Sequence, residues 1–115
     1  MQIGYARVST VEQTLDLQQD ALTKAGCPRI FSDVASGANT DRPGLGEALN
    51  FVRPGDTLVV WRLDRLGRSL QHLIQTVTGL QQRQVSFKSL TESLDTTTSG
   101  GKLVFHFFGA LAEFE

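Results

Sequence analysis

Apolar residues fall along the chain in short blocks whose spacing alternates between that of strands and that of helices. Gln2 to Val8 has the length and apolar character of a buried strand and stops at Ser9-Thr10, residue types that open helices. From Val11 to Ala25 the apolar positions Val11, Leu15, Leu22 and Ala25, with Ala21 beside them, recur at helical spacing, and Gly26 supplies a stop. A short strand at Arg29 to Val34 follows. A loop of small and polar residues, Ala35 to Asp41, then leads to Arg42-Pro43-Gly44 at the mouth of a helix running to about Val52. Beyond the turn Arg53-Pro54-Gly55-Asp56, the uninterrupted run Thr57 to Trp61 predicts a central strand covered on both faces. Leu63 to Gln84 reads as helical, entered through an irregular stretch around Gly67-Arg68-Ser69, with Leu70, Leu73, Ile74, Val77 and Leu80 as its apolar stripe. Val85 to Leu90 predicts a fourth strand. Thr91 to Gly101 holds no apolar residue except Leu94 and reads as a mobile loop, and Lys102 to Glu115 as a last helix. Strands separated by helices imply βαβ units, hence an α/β fold with a mainly parallel central sheet of about four or five strands and helices on both faces.

The last helix does not suit a self-contained monomer. Leu103, Val104, Phe105, Phe107, Phe108, Leu111 and Phe114 make it apolar on more than one side, so it needs a partner surface. The length of 115 residues allows one domain with one core. A formal charge of −1, from 11 basic and 12 acidic residues, does not suit a self-sufficient nucleic-acid-binding module, so any such role rests on clustered charge. The single cysteine, Cys27, excludes an internal disulfide framework and a cysteine-based zinc site and fits a reducing compartment. The N-terminus lacks the basic start and long apolar core of a secretory signal, and no run reaches membrane-spanning length. A soluble, cytoplasmic chain is the expectation.

Ligands of open α/β sheets bind beyond the carboxyl ends of the strands. Arg7, Ser9 and Thr10 follow the first strand, Asp33 and Ser36 the second, and Arg62, Asp64, Arg65 and Arg68 the third. Parallel strands would bring Arg7, Arg65, Arg68 and Arg42 to one rim around a hydroxyl, with Ser9 as nucleophile. Such a cluster suits a phosphate, because guanidinium forks bind its oxygens and offset the charge of a pentacovalent transition state. Each feature also has a plainer reading. Ser9-Thr10-Val11-Glu12 is a capping box, and Arg62, Arg65 and Arg68 could form a solvated face paired with Asp64. Asp33, Asp41 and Asp64 lack metal-site spacing, Gly44-Leu45-Gly46 lacks the third glycine of a dinucleotide fingerprint, and no phosphate-cradling P-loop occurs. His72 and His106 lack triad partners, and Cys27 reads as a filler residue.

Taken together, the motifs are more specific. Tyr5-Ala6-Arg7-Val8-Ser9-Thr10 with Gln13, Leu17 and Gln18, then Ser36-Gly37 with Thr40-Asp41-Arg42-Pro43-Gly44-Leu45, then Leu63-Asp64-Arg65-Leu66-Gly67-Arg68-Ser69, resemble the catalytic domain of serine site-specific recombinases. The similarity, nearest to the resolvase and DNA-invertase branch, extends through Ser89-Leu90-Thr91-Glu92 to Gly109-Ala110-Leu111-Ala112-Glu113. It implies that Ser9 attacks a phosphodiester of a double-stranded DNA crossover site to form a 5′-phosphoserine link, without metal or other cofactor and without a small-molecule substrate. Arg7, Arg65 and Arg68 match the arginines around the scissile phosphate, Asp64 the carboxylate that orients them, and Gln18, Ser36 and Arg42 further active-site positions, with Asp33 a weaker candidate. The resemblance further implies residues 1–101 as the catalytic domain and 102–115 as the start of a long dimerisation helix. A helix-turn-helix DNA-binding domain would follow, and the whole would act as a homodimer pairing into a synaptic homotetramer, so the present chain alone is expected to be weak or inactive. A non-catalytic interaction module is the alternative, and it predicts these arginines scattered over separate faces. A nucleotide-binding or phosphatase-like domain would need a glycine loop or metal ligands.

Overall fold

The computed structural model describes residues 1–8, 14–34, 42–66 and 69–112. Five strands, β1 (Gln2–Val8), β2 (Arg29–Val34), β3 (Thr57–Val60), β4 (Ser86–Ser89) and β5 (Leu94–Asp95), form one sheet in the order β2-β1-β3-β4-β5. The first four are parallel and β5 is antiparallel to β4. Four helices, α1 (Thr14–Lys24), α2 (Pro43–Phe51), α3 (Leu70–Gln82) and α4 (Ser99–Ala112), complete the α/β fold. The run Thr57–Val60 lies at the middle of the sheet, as its uninterrupted apolar character requires.

Strand alternation divides the core between two faces. Ile3, Tyr5, Phe31, Leu58, Val60 and Phe87 point one way, against Leu45 and Ala48 of α2, Leu73, Val77 and Leu80 of α3, and Phe105 of α4. Ala6 and Val59 point the other way, against Leu22 of α1 and Cys27, whose thiol burial holds above its ordinary pKa. Gly26 ends α1 with a positive φ of 98°, and the Cys27 and Gly26 amides close back on Leu22 and Thr23 at 3.1 and 3.0 Å. At Gly44 a Cβ would run into the Ser32 carbonyl, so only glycine lets the start of α2 come this close to β2.

Two sequence expectations need correction. The segment read as a mobile loop, Thr91 to Gly101, contains β5 and the first turn of α4, and Leu94 and Thr96 are buried. Its polarity reflects local hydrogen bonding: Asp95 Oδ1 accepts from the Thr97 amide at 2.9 Å, and Thr98 Oγ1 accepts from the Gly101 amide at 3.0 Å, capping α4. The last helix therefore begins at Ser99, three residues before Lys102. A two-residue strand carries too little periodicity to be read, yet Thr96 fixes it by accepting the Phe87 amide at 2.8 Å. The helical region Leu63 to Gln84 has the irregular entry expected of it. A 3-10 turn at Leu63–Arg65 precedes α3, which Ser69 caps by accepting the His72 amide at 3.1 Å. The expected first turn of helix one, from Val11, and the loop Ala35 to Asp41 lie outside the described residues.

Candidate functional site

The parallel strands β1, β2 and β3 end at a common rim, and the chain leaves each of them carrying charge. Arg7, the penultimate residue of β1, is only 4% exposed, and its Nε donates to the Arg65 carbonyl at 3.1 Å. Arg42, immediately before α2, is 7% exposed and donates through Nη1 to the Leu66 carbonyl at 2.7 Å. Buried cations are costly unless hydrogen-bonded, and here both are bound to the short turn after β3. Arg65 therefore lies with Arg7 and Arg42 at one end of the sheet, although the three come from distant parts of the chain. The Arg62 and Arg65 guanidinium carbons stand 5.6 and 5.8 Å from the Trp61 ring centroid, packed against the indole rather than spread along a helix face.

Gln18 of α1 holds the end of β1. The pairing of β1 with β3 stops at Tyr5 and Val60, two residues before Arg7. Gln18 is fully buried: its Oε1 accepts the Arg7 amide at 3.1 Å and its Nε2 donates to the Arg7 carbonyl at 2.9 Å. The side-chain amide thus satisfies main-chain groups that a neighbouring strand would otherwise take. Gln18 acts through Arg7's backbone.

Asp33 has a similar supporting role. Its carboxylate accepts the Tyr5 hydroxyl at 2.7 Å and the Gly44 and Leu45 amides at 2.8 and 2.9 Å. The position suits a negative charge, since these amides open α2. Burial, reinforced by the Asp33 carboxylate, pushes the Tyr5 hydroxyl well above the ordinary tyrosine pKa. Asp33 thus ties β1, β2 and α2 together immediately behind Arg42. The sequence carried a signal for this, an aspartate ending a strand ahead of a Pro-Gly helix mouth, but Tyr5 as its partner was not legible.

Of the other sequence-predicted positions, Ser9, Ser36 and Arg68, the Ser9-Glu12 capping box, and the side chain of Asp64 lie outside the described residues. Cys27 is a core residue, and His106 is exposed on α4. Among the described residues, no helix is long and apolar enough to cross a membrane.

Comparison with known proteins places this architecture. The serine recombinase Gin of Escherichia phage Mu is 57% identical over 115 residues, covering 100% of this chain and 60% of that protein. The DNA-invertase Hin of Salmonella typhimurium is 54% identical over 113 residues, covering 98% of this chain and 60% of its own length. The chain thus spans about 60% of the length of these curated relatives. The crystal structure of the N-terminal catalytic domain of TP901-1 integrase superposes with a TM-score of 0.83 at 31% identity, covering 99% of this chain and 95% of that one. A family model described as the resolvase N-terminal domain matches residues 2–115, and the chain belongs to that family.

Proposed function

We propose that this chain is the catalytic part of a site-specific DNA recombinase that cuts and rejoins DNA through Ser9. The observation that carries the reading is the gathering of Arg7, Arg42 and Arg65 at the carboxyl rim, with Ser9 two residues beyond Arg7 in the chain. Scattered arginines, as a non-catalytic interaction module would have, do not fit Arg7 and Arg42 both donating to one turn. The names of the Mu and Salmonella relatives support the same chemistry.

In the proposed step, the Ser9 hydroxyl oxygen bonds to the scissile phosphorus as the bond from phosphorus to O3′ breaks. Ser9 gives up its proton and the departing O3′ gains one, leaving a 5′-phosphoserine and a free 3′-hydroxyl. Attack by a 3′-hydroxyl on that phosphorus reverses the sequence and frees Ser9, so one phosphoester bond is exchanged for another and no energy source is consumed. Arg7, Arg65 and Arg68 would face the phosphoryl oxygens and stabilise the extra charge of the pentacovalent state, with Asp64 orienting them. Arg42 would border the same site, and the resemblance assigns Ser36 to it as well. Gln18 keeps Arg7 in place through its backbone.

The partner in this reading is double-stranded DNA, and the compartment is the cytoplasm. The exposed apolar residues Leu103, Val104 and Phe107 of α4 support association with a second copy, and a dimer pairing into a tetramer would bring together the strands to be exchanged. In domain terms, α4 opens the dimerisation helix and the residues before it form the catalytic unit.

The reading is tested by trapping. A chimera in which this chain replaces the matching segment of the phage Mu recombinase is incubated with DNA carrying that recombinase's site. Protein attached to a 5′ end is expected, and its loss in Ser9→Ala. An undiminished adduct in Ser9→Ala would refute the assignment.

A further inference from the structure

We propose that Glu92 is a positioning residue for the arginine-bearing turn, fixing the Leu63 backbone and through it Arg65; this rests on the function proposed above. The backbone of the turn is held at three points. Arg7 binds the Arg65 carbonyl and Arg42 binds the Leu66 carbonyl, both from the β1 and α2 side. From the opposite side, the two Glu92 carboxylate oxygens accept the Leu63 amide at 3.3 and 3.4 Å. That amide opens the 3-10 turn and has no partner within it, so an acceptor from elsewhere decides where the turn begins.

Glu92 is itself exposed, and an exposed glutamate ordinarily samples many rotamers. Here the hydroxyl of the fully buried Ser89 donates to its Oε1 and anchors the carboxylate. An ionised carboxylate only accepts, and its two oxygens can serve Ser89 and Leu63 together. The main chain continues the attachment: the Leu90 amide donates to the Val60 carbonyl at 3.0 Å and the Thr91 amide to the Trp61 carbonyl at 2.9 Å. The turn after β4 is thus bonded, residue by residue, onto the segment that carries Trp61, Arg62 and Arg65. The carboxylate at 92 thus serves two groups, the buried Ser89 hydroxyl and the Leu63 amide that opens the turn carrying Arg65.

The test uses the chimera described above with Glu92→Ala and Glu92→Gln. Glu92→Ala is expected to slow formation of the 5′ adduct roughly 10- to 100-fold, the scale of a small misplacement of reacting groups, with DNA affinity little changed and the melting temperature lowered as the buried Ser89 hydroxyl loses its acceptor. The Leu63 amide should exchange faster, and the emission of Trp61, the only tryptophan in the chain, should shift as Arg65 moves over its ring. Glu92→Gln keeps a carbonyl oxygen for Leu63 and should restore the rate to within about threefold of the unsubstituted protein. An unchanged adduct rate in Glu92→Ala, or an unchanged Leu63 amide, would overturn the positioning role alone. Absence of any adduct in the unsubstituted chimera would instead overturn the function it rests on.

Discussion

The carboxyl rim of the sheet and the outer face of α4 depart from an ordinary domain in opposite directions. At the rim, charged side chains are buried: Arg7, Asp33 and Arg42 are 4%, 7% and 7% exposed. On α4, apolar side chains are bare: Leu103 and Phe107 are 71% and 62% exposed, while Phe105 on the opposite side packs edge-on against Phe87. Neither arrangement is the one that stability alone would favour over well-packed apolar side chains inside and polar ones outside. The rim accepts its cost in order to fix cations in place, and each buried group is matched by hydrogen bonds. The helix leaves its apolar surface uncovered, as a docking face does. The first region fits the chemistry proposed above, and the second fits the proposed contact with another copy.

Substitutions should separate the two regions, and the largest effect is expected at Asp33. Asp33→Ala leaves the Tyr5 hydroxyl and the Gly44 and Leu45 amides without their acceptor, and denaturant unfolding should show a loss of about 3–5 kcal/mol. Arg65→Ala should leave folding nearly intact but lower adduct formation roughly 100- to 1000-fold, the cost of removing one transition-state charge stabiliser. Gln18→Ala strands the Arg7 amide and carbonyl and should cost about 2 kcal/mol in stability, with a fall in cleavage that follows from Arg7's displacement. Phe107→Asp is expected to change the stability of the domain by less than about 0.5 kcal/mol while weakening self-association in sedimentation. A large loss of folding stability in Phe107→Asp would show that this face of α4 belongs to the core and is not a docking surface.

The rim should also show itself in alkaline stability. The folded state holds the Tyr5 proton more tightly than the unfolded chain does, because burial and Asp33 raise its pKa. That stabilisation is complete below the ordinary tyrosine value of 10.0 and is lost as pH climbs above it. Tyr5 is the only tyrosine, so tyrosinate absorbance should appear only as the domain unfolds. A free titration at the ordinary value in the folded protein would show that Tyr5 is not buried against Asp33.

What could be read from the sequence follows the lengths over which each pattern extends. Strands of four to seven residues and helices of nine to fourteen show their periods, and β1, β2, β3 and all four helices are recognisable from apolar spacing and from Gly26 and Pro43. β5 has two residues and is specified by its neighbours, through Leu94 packing and the Thr96 hydroxyl, so a polar stretch concealed it. Arg7, Arg42 and Arg65 were legible because strand ends in a parallel sheet converge. The supports were not: Gln18 clasping Arg7, Tyr5 donating to Asp33 and Glu92 reaching Leu63 join residues 11, 28 and 29 positions apart, and local spacing does not encode such pairs.

The most direct test identifies the residue that becomes joined to DNA. A chimera carrying this chain is trapped on DNA nicked at the crossover so that rejoining fails, digested with protease, and the nucleotide-bearing peptide is mapped by mass spectrometry. The account predicts a 5′-linked nucleotide on Ser9. Attachment to Thr10, Ser36 or any other side chain, or peptides free of nucleotide when the DNA has been cut, would contradict it.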